Sequence, residues 1–180
     1  LIISVMTGIT TETLIKITHS AAVIRTMPNT PIKIGLGVTA WCKTKAVTQA
    51  DSQWFQNAFS KVSKLIDVEN DDGINKATAI SGCGPAYVFA FAEALMSAAC
   101  ELGFSEDQAQ LLVTQTCVGA TALLEQATVP VAELRQQVTS KGGTTAAALN
   151  ALELSGFETM WNQAIQAAYD KAKTLSSQTR

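Results

Sequence analysis

Hydrophobic and polar positions divide this chain into an alternating first part and a second part of helical spacing. The first part contains the short apolar runs "LIISV", "AAVIRTM", "GLGVTAWC" and "KLIDVE". A continuous apolar run of this length is typical of a buried strand. Between the runs, Thr10 to Ile17 and the segment "QADSQWFQNAFSKVSKL" have the apolar spacing of helices. The alternation predicts an α/β domain, and because no strand with a glycine fingerprint comes first, we expect its sheet to begin before Leu1.

From about Asp71 onward the pattern indicates helices only. Ser105 and Gln108 form a capping box that starts one helix, and Gly156 is placed to stop another. The expected helices cover Pro85 to Gly103, Ser105 to Ala127, Pro130 to Val138, Thr144 to Ser155 and Phe157 to Thr174. The polar turn "ENDDG" separates the two parts of the chain. The sequence therefore predicts two domains, residues 1–72 and residues 73–180.

The expected helix from Pro85 to Gly103 is apolar on nearly every side, with Tyr87, Phe89 and Leu95 on different faces. Such a helix has to be buried on several faces. Only 16% of the residues are charged, fewer than the roughly 25% usual in globular proteins. Two explanations are open: a second copy of the chain completes the enclosure, or the helix is the centre of a monomeric bundle. The low charge content favours the homodimer.

Composition narrows the choice of partners. A net charge of -2, with no block of Lys or Arg, argues against nucleic acid and anionic membrane. The apolar helix carries Glu93 and falls short of the roughly 20 apolar residues of a membrane span. Four cysteines without C-x-x-C spacing, and a single histidine, predict no metal site and fit a reducing cytoplasm. The opening residues lack the features of a signal peptide. We expect a small molecule and other copies of the chain as partners.

The segment "TSKGGTT" places two glycines and two threonines before a helix. Glycines adopt a positive φ without steric cost, and a helix start offers unpaired amides and a dipole that favours an anion. Hydroxyls of Ser140, Thr144 and Thr145 add hydrogen-bond donors without a charge. The same residue types also suit a plain junction in which one helix ends and another is capped. Spacing alone leaves both interpretations open.

Two further segments have the composition of a binding site. "VIRTMPNTP" ends a strand on Asn29 between two prolines, at the edge where ligands bind in open α/β sheets. A rigid turn with a local Asn29 hydrogen bond is the alternative. "SGCGPAY" begins the apolar helix with two glycines and a proline, which close packing explains as well as a ligand does. The sequence contains neither a Ser-His-Asp set nor a carboxylate dyad, which disfavours hydrolysis.

These three segments, in this order, resemble the signature segments of pyrroline-5-carboxylate reductase, and the resemblance extends over nearly the whole chain. It implies the C-terminal portion of a Rossmann-type domain followed by an all-helical dimerisation domain. It also implies reduction of 1-pyrroline-5-carboxylate, a cyclic imino acid, to L-proline by hydride transfer from NADP(H) or NAD(H), the last step of proline biosynthesis. A homodimer, or a higher oligomer built from it, is implied as well.

The resemblance also assigns roles to individual residues. Thr145 would be the catalytic residue and bind the ring nitrogen of the substrate, while Ser140, Gly143 and Thr144 would hold its carboxylate. The cofactor would lie against the following residues: Val5, Met6, Thr7, Asn29 and Gln137. The hydride would pass to an iminium carbon, so a neutral hydroxyl that orients the nitrogen suffices when the imine arrives protonated.

Three positions depart from the common family pattern. Lys141 stands where proline is usual, Cys83 where serine is, and Met6 with Thr7 where two alanines are. The glycine-rich phosphate-binding turn would lie before Leu1, so we expect the isolated chain to bind cofactor poorly and to be inactive. Two alternatives are a hydroxyacid-type dehydrogenase, with Lys141 as the acid, and a non-catalytic helical dimerisation module.

Overall fold

The computed structural model describes residues 1–178, and its first part is built on a four-stranded sheet. The strands are β1 (Ile2–Ser4), β2 (Val23–Pro28), β3 (Gly37–Lys43) and β4 (Ser63–Asp67). They lie side by side in chain order, with β1–β2 and β3–β4 parallel and β2–β3 antiparallel. All four apolar runs that predicted strands form strands. The antiparallel step was not foreseen, because each run predicts a strand but not its direction.

Helices alternate with these strands and then form the rest of the chain. They are α1 (Thr11–Thr18), α2 (Gln49–Phe59), α3 (Asp71–Ala77), α4 (Gly84–Glu101), α5 (Glu106–Gln126), α6 (Val131–Gln137), α7 (Thr144–Leu154) and α8 (Phe157–Gln178). The predicted Ser105 capping box is present at the start of α5. The fold class is confirmed: a Rossmann-type α/β part is followed by helices alone.

Three segments differ from the expectation. The polar turn at residues 69–73 instead starts α3, because the Asn70 side chain accepts hydrogen bonds from the amides of Asp72 and Gly73. A π-helix (Thr78–Gly82) then joins α3 to α4, and a 3-10 helix (Thr30–Ile34) follows β2. Helix α2 ends at Phe59, earlier than its pattern suggested, since β4 begins at Ser63.

The sheet has a packed core on each face. On one face Trp41 contacts Phe55 of α2, with ring centroids 5.0 Å apart, and Ile24 completes the cluster. On the other face Ala40 and Cys42 pack against Ile74 of α3. Burying large side chains such as these stabilises a fold by roughly 1.5–3 kcal/mol each. The sheet and its two covering helices therefore have a closed core of their own.

Contacts group the chain into two units. The sheet unit consists of Leu1–Ala86 with the part of α8 from Asn162 onward, and the helical unit is Tyr87–Trp161. Helix α8 thus begins in one unit and continues in the other. The division at residues 72 and 73 rests on sequence character and stays a prediction.

The helical unit exposes most of its apolar surface in the single chain. None of the residues of α4 is buried, and the exposed fraction is 68% for Phe89 and 52% for Phe91. Ala109 and Val113 of α5 are the buried apolar residues that the described part of this unit contains. The monomeric-bundle alternative is therefore wrong for this fold, because the chain does not enclose its own apolar helix.

One helical run meets the length and composition of a membrane span. It covers Asp71–Glu101, with a mean hydropathy of 1.3, and none of its most apolar stretch is buried within the chain. Length and composition do not distinguish such a span from a helix that another protein surface covers. The expectation that no membrane is involved stays a prediction.

Candidate functional site

The connection between α6 and α7 forms a tight turn around its two glycines. The amide of Gly143 donates to the carbonyl of Ser140 at 3.0 Å, and Gly142 has a φ of +72°. A Cβ atom on Gly143 would overlap the Ser140 side-chain oxygen and lie 3.2 Å from its carbonyl oxygen. The backbone conformation therefore favours glycine at position 142, and the close approach of Ser140 favours a small residue at position 143.

The start of α7 has open hydrogen-bond donors. Gly143 is its N-cap and provides no side-chain cap, so the threonines lie inside the first turn rather than at the capping position. Thr144 and Thr145 are exposed, and among the described residues neither hydroxyl forms a hydrogen bond. The first turn also lacks an acidic residue. Unpaired amides and a positive dipole end therefore face outward beside these hydroxyls.

The two interpretations of "TSKGGTT" thus describe one feature. It is a helix junction, but its threonine hydroxyls do not cap the helix, and they stay available to a ligand together with the amides. Ser140 is exposed on the same turn. The structure brings Ser140, Gly143, Thr144 and Thr145 together, and their roles toward a substrate stay predictions.

Lys141 lies in the middle of this turn. It is exposed, and it forms no ion pair within the part of the chain that the structure describes. A lysine near a helix start adds to the positive potential already present there. Gln137 is the last residue of α6 and is exposed, a few residues before the same turn.

A second group of predicted residues lies in the sheet unit, where β1 and β2 end. Val5 and Met6 follow β1 with exposed fractions of 56% and 50%. The amide of Met6 donates to the Ser4 hydroxyl oxygen at 3.2 Å, which holds the start of this loop. The carboxyl ends of parallel strands are where open α/β sheets bind ligands. The role of Val5 and Met6 toward a cofactor stays a prediction.

Asn29 connects the end of β2 to the start of β3. Its side-chain oxygen accepts a hydrogen bond from the amide of Val38 at 2.9 Å. The Asn29 side-chain oxygen therefore does not make the local hydrogen bond that a simple rigid turn would have. Asn29 fixes the 3-10 helix against β3, and its proposed contact with a cofactor stays a prediction.

Met27 of "VIRTMPNTP" contacts both the loop after β1 and the segment "SGCGPAY", and sequence reasoning missed these contacts. The Thr7 hydroxyl lies 3.8 Å from the Met27 sulfur in hydrogen-bond geometry. A Cβ atom on Gly82 would lie 2.7 Å from the terminal carbon of Met27. Gly82 of "SGCGPAY" thus packs closely on the flexible end of Met27, and the π-helix that contains it is a type often found at functional sites. The glycine in the sequence indicated close packing at this position, but the sequence did not show that Met27 packs against it.

Other reactive groups of the described residues do not form a catalytic centre. Burial, aided by the nearby Asp71 carboxylate, raises the pKa of the Cys42 thiol to about 12, so this cysteine stays protonated and unreactive at neutral pH. All four cysteines are free thiols. Within residues 1–178, no group of three or more His, Cys, Asp or Glu side chains is placed to hold a metal ion.

Comparison with known proteins agrees with this architecture. The family described as "Pyrroline-5-carboxylate reductase dimerisation" matches residues 71–175. Pyrroline-5-carboxylate reductase of Pasteurella multocida is 34% identical over 177 residues, which cover 97% of this chain and 64% of that protein. The enzyme of Synechocystis is 34% identical over 175 residues, 97% of this chain and 65% of its own length.

Solved structures agree as well. The pyrroline-5-carboxylate reductase of Coxiella burnetii superposes with a TM-score of 0.91 at 37% identity, covering 97% of this chain and 65% of that one. The Plasmodium falciparum pyrroline carboxylate reductase, solved with NADP bound, gives a TM-score of 0.90 at 33% identity, with 98% and 67% covered. The chain therefore spans about two thirds of the length of its relatives.

A Rossmann-type sheet followed by an exposed, apolar helical unit is the architecture of a class of proteins in which a nucleotide-binding type of domain precedes a helical dimerisation domain. Within that class, the chain belongs to the pyrroline-5-carboxylate reductase family.

Proposed function

We propose that this protein reduces 1-pyrroline-5-carboxylate to L-proline with NADPH or NADH, as the last step of proline biosynthesis. The observation that carries the proposal is the start of α7, where amides without a capping side chain adjoin three free hydroxyls. That set matches a small anionic ring compound, since amides at a helix start bind a carboxylate and a neutral hydroxyl orients a ring nitrogen.

Each residue of the turn has a part in this proposal. Ser140 and the unpaired first-turn amides that follow Gly143, beginning with Thr144, hold the carboxylate, and the Thr145 hydroxyl oxygen accepts the hydrogen bond that orients the protonated ring nitrogen. A threonine hydroxyl is too weak an acid to protonate the imine, so the substrate binds as the iminium. Orientation is then the main contribution of the protein, worth up to about 7–11 kcal/mol in well-aligned reactions.

The cofactor proposal uses the exposed residues at the ends of β1 and β2. Val5, Met6 and Thr7 lie there with Asn29 in the sheet unit, and Gln137 is an exposed residue of the helical unit. A bound nicotinamide dinucleotide supplies the hydride. The residues of the sheet unit hold and orient its reactive end, and the part of Gln137 is proposed from the family resemblance alone.

The proposed assembly is a homodimer formed through the helical unit. Helix α4 exposes Val88, Phe89 and Phe91, each by half or more, and α5 exposes Leu111 by 68%. Exposed apolar surface on this scale marks an interaction site in a protein. A second copy of the chain covers it. The free cysteines agree with the cytoplasm as the proposed location.

The test is a variant of the complete gene product. Thr145→Ala should lower kcat at least about tenfold, the loss expected for a hydrogen bond to a charged group, with little change in NADPH affinity. Thr174→Ala is the matched control, because the Thr174 hydroxyl bonds to the Asp170 carbonyl within α8. Equal kcat in wild type and Thr145→Ala would remove Thr145 from the mechanism. Activity on a 2-hydroxy acid but not on the cyclic imine would favour a hydroxyacid-type dehydrogenase, and no dinucleotide binding would favour a dimerisation module.

A further inference from the structure

A charged cluster in the sheet unit lies outside the residues assigned so far. Arg25 is in the middle of β2 with only 1% of its side chain exposed. Its guanidinium donates to Asp71 Oδ1 at 2.6 Å and to Asn75 Oδ1 at 3.4 Å, while its Nε has no partner among the described residues. A buried charge is costly unless it is paired, so a cluster of this kind needs an explanation.

The Asp71 carboxylate also accepts hydrogen bonds from the first residue of α1. Both of its carboxylate oxygens accept from the amide of Thr11 at 3.1 Å, and the Thr11 hydroxyl donates to Oδ2 at 2.7 Å. Thr11 is the first residue of α1, and an amide at that position has no partner inside the helix. A carboxylate beside a helix start is also favoured by the dipole. Asp71 therefore holds the first residue of α1, next to the N-cap Thr10, whose side chain accepts from the amide of Thr13.

This contact sets one end of the β1–α1 loop, residues 5–10. The other end is held at β1, where the Ser4 hydroxyl binds the amide of Met6. In its middle, Gly8 has a φ of +79° and packs so closely on α8 that a Cβ atom would lie 3.0 Å from Cβ of Leu175. These contacts hold the loop together with that of the Thr7 hydroxyl to the Met27 sulfur, and the Asp71 contact is the one made by a charged pair.

We propose that Asp71, held in place by Arg25, is a positioning residue that fixes the β1–α1 loop in the geometry required to bind the nicotinamide dinucleotide. The inference rests on the proposed function, since Val5, Met6 and Thr7 of this loop are the proposed cofactor contacts. Asp71 itself touches neither substrate nor cofactor and acts through Thr11.

The experiment compares Asp71→Ala, Asp71→Asn and Thr11→Ala in the complete gene product. Asp72→Asn is the matched control, because Asp72 lies on the same turn of α3 but binds Lys76 and Tyr169 instead of Thr11. Three quantities are measured: hydrogen–deuterium exchange of the amides of residues 5–13, the Kd of NADPH by fluorescence titration, and kcat at saturating NADPH.

We expect Asp71→Ala to speed exchange in this segment and to raise the Kd of NADPH about tenfold, the scale of one charge-assisted hydrogen bond. The kcat at saturating NADPH should change less than about twofold. When the binding-competent conformation of the loop is populated less often, the apparent affinity for NADPH falls, but the bound complex is unchanged. Asp71→Asn, which keeps an acceptor oxygen, should recover part of the affinity. Asp72→Asn should match wild type.

Unchanged loop exchange in a folded Asp71→Ala protein would overturn the proposal, as would faster exchange with an unchanged Kd. A loss of the same size in Asp72→Asn would also overturn it, since the effect would then be general destabilisation. If Asp71→Ala does not fold, Thr11→Ala tests the proposal instead, because it removes one hydroxyl and leaves the buried arginine paired. Faster loop exchange with a raised Kd of NADPH would then support the proposal, and an unchanged loop or an unchanged Kd would overturn it. A wild-type protein that binds NADPH but does not reduce the imine would refute the proposed reaction. The positioning role of Asp71 would still be tested by the exchange rates and the Kd of NADPH.

Discussion

The sheet unit and the helical unit differ in where their apolar side chains lie. In the sheet unit, Trp41 and Phe55 are no more than 1% exposed and fill a core that the chain closes by itself. In the helical unit, Phe89 and Leu111 are each 68% exposed. Apolar burial contributes roughly 25 cal/mol for each Å² removed from water. The sheet unit therefore obtains its stability within one chain, whereas the helical unit needs a second surface.

The difference teaches that the apolar content of a segment does not say which molecule will bury it. The most apolar helix of the chain, α4, has no buried residue, although far less apolar segments provide the core of the sheet unit. A self-contained core and an interface can have the same composition. Their stabilities should respond differently to substitution and to protein concentration.

The largest effect is expected at the centre of the sheet unit. Phe55→Ala should lower the free energy of unfolding by about 3–5 kcal/mol, because the removed ring leaves a cavity between Trp41 and Phe59. Urea denaturation followed by tryptophan fluorescence measures it. Trp54→Ala on the same helix is the control, since Trp54 is 60% exposed. Equal losses in the two variants would contradict a closed core at Phe55.

The next effect concerns assembly through the helical unit. Phe89→Glu should raise the Kd for self-association at least about 30-fold, since a charge in an apolar interface costs 2 kcal/mol or more. Sedimentation velocity over a range of concentrations measures this Kd. Lys171→Glu, an exposed position of α8 in the sheet unit, should associate like wild type. A Phe89→Glu protein that remains dimeric would show that α4 lies outside the interface.

A smaller effect is expected at Gly82, where the sheet unit packs closely on a glycine. Gly82→Ala should destabilise the protein by no more than about 1 kcal/mol, the low end of the cost of overpacking, because its methyl group would meet only the flexible end of the Met27 side chain. Gly84→Ala should be neutral, as no atom lies within 4 Å of a Cβ built there. Thermal unfolding of both variants makes the comparison. A neutral Gly82→Ala would mean that Met27 moves aside freely.

The smallest effect is a dependence on pH at the surface of the sheet unit. Hydrogen bonds from Lys76 and then from Tyr169 lower the pKa of Asp72 below its ordinary value of 3.8. A lowered folded-state pKa means that the stabilisation is present above about pH 3.8 and is lost as the pH falls through the folded-state pKa. Asp72→Asn should therefore show a flatter pH dependence of unfolding in this acidic range.

Urea unfolding at several values between about pH 5 and about pH 2.5 measures that slope. Tyr169→Phe removes one of the two hydrogen bonds and should flatten the slope only in part. Identical slopes in wild type and Asp72→Asn would show that this exposed carboxyl does not link stability to pH.

Much of the local structure was predictable because it depends on neighbouring residues. The four strands follow from short apolar runs, and the start of α5 follows from the Ser105 capping box. The α3 helix was missed, because Asn70 and two aspartates are as typical of a turn as of a helix start. The 3-10 helix after Asn29 was missed for a similar reason, since its prolines also suit an extended turn.

The candidate site was predictable only in part. The residues of "TSKGGTT" lie on one turn because they are neighbours in sequence. The contacts of Met27 with Gly82 and of Asp71 with Thr11 join residues more than fifty positions apart, and no local pattern reveals them. Arg25, inside the apolar run "AAVIRTM", indicated a buried charge that needs a partner, but the sequence did not show that the partner is Asp71.

By itself, the sequence determined the strands, most of the helices and the glycine turn before α7, because each depends on residues that are close along the chain. Only the tertiary structure decided the antiparallel step in the sheet, the pairing of Arg25 with Asp71, and the exposure of α4. These features depend on which distant surfaces meet, and that is set by the packing of the whole chain.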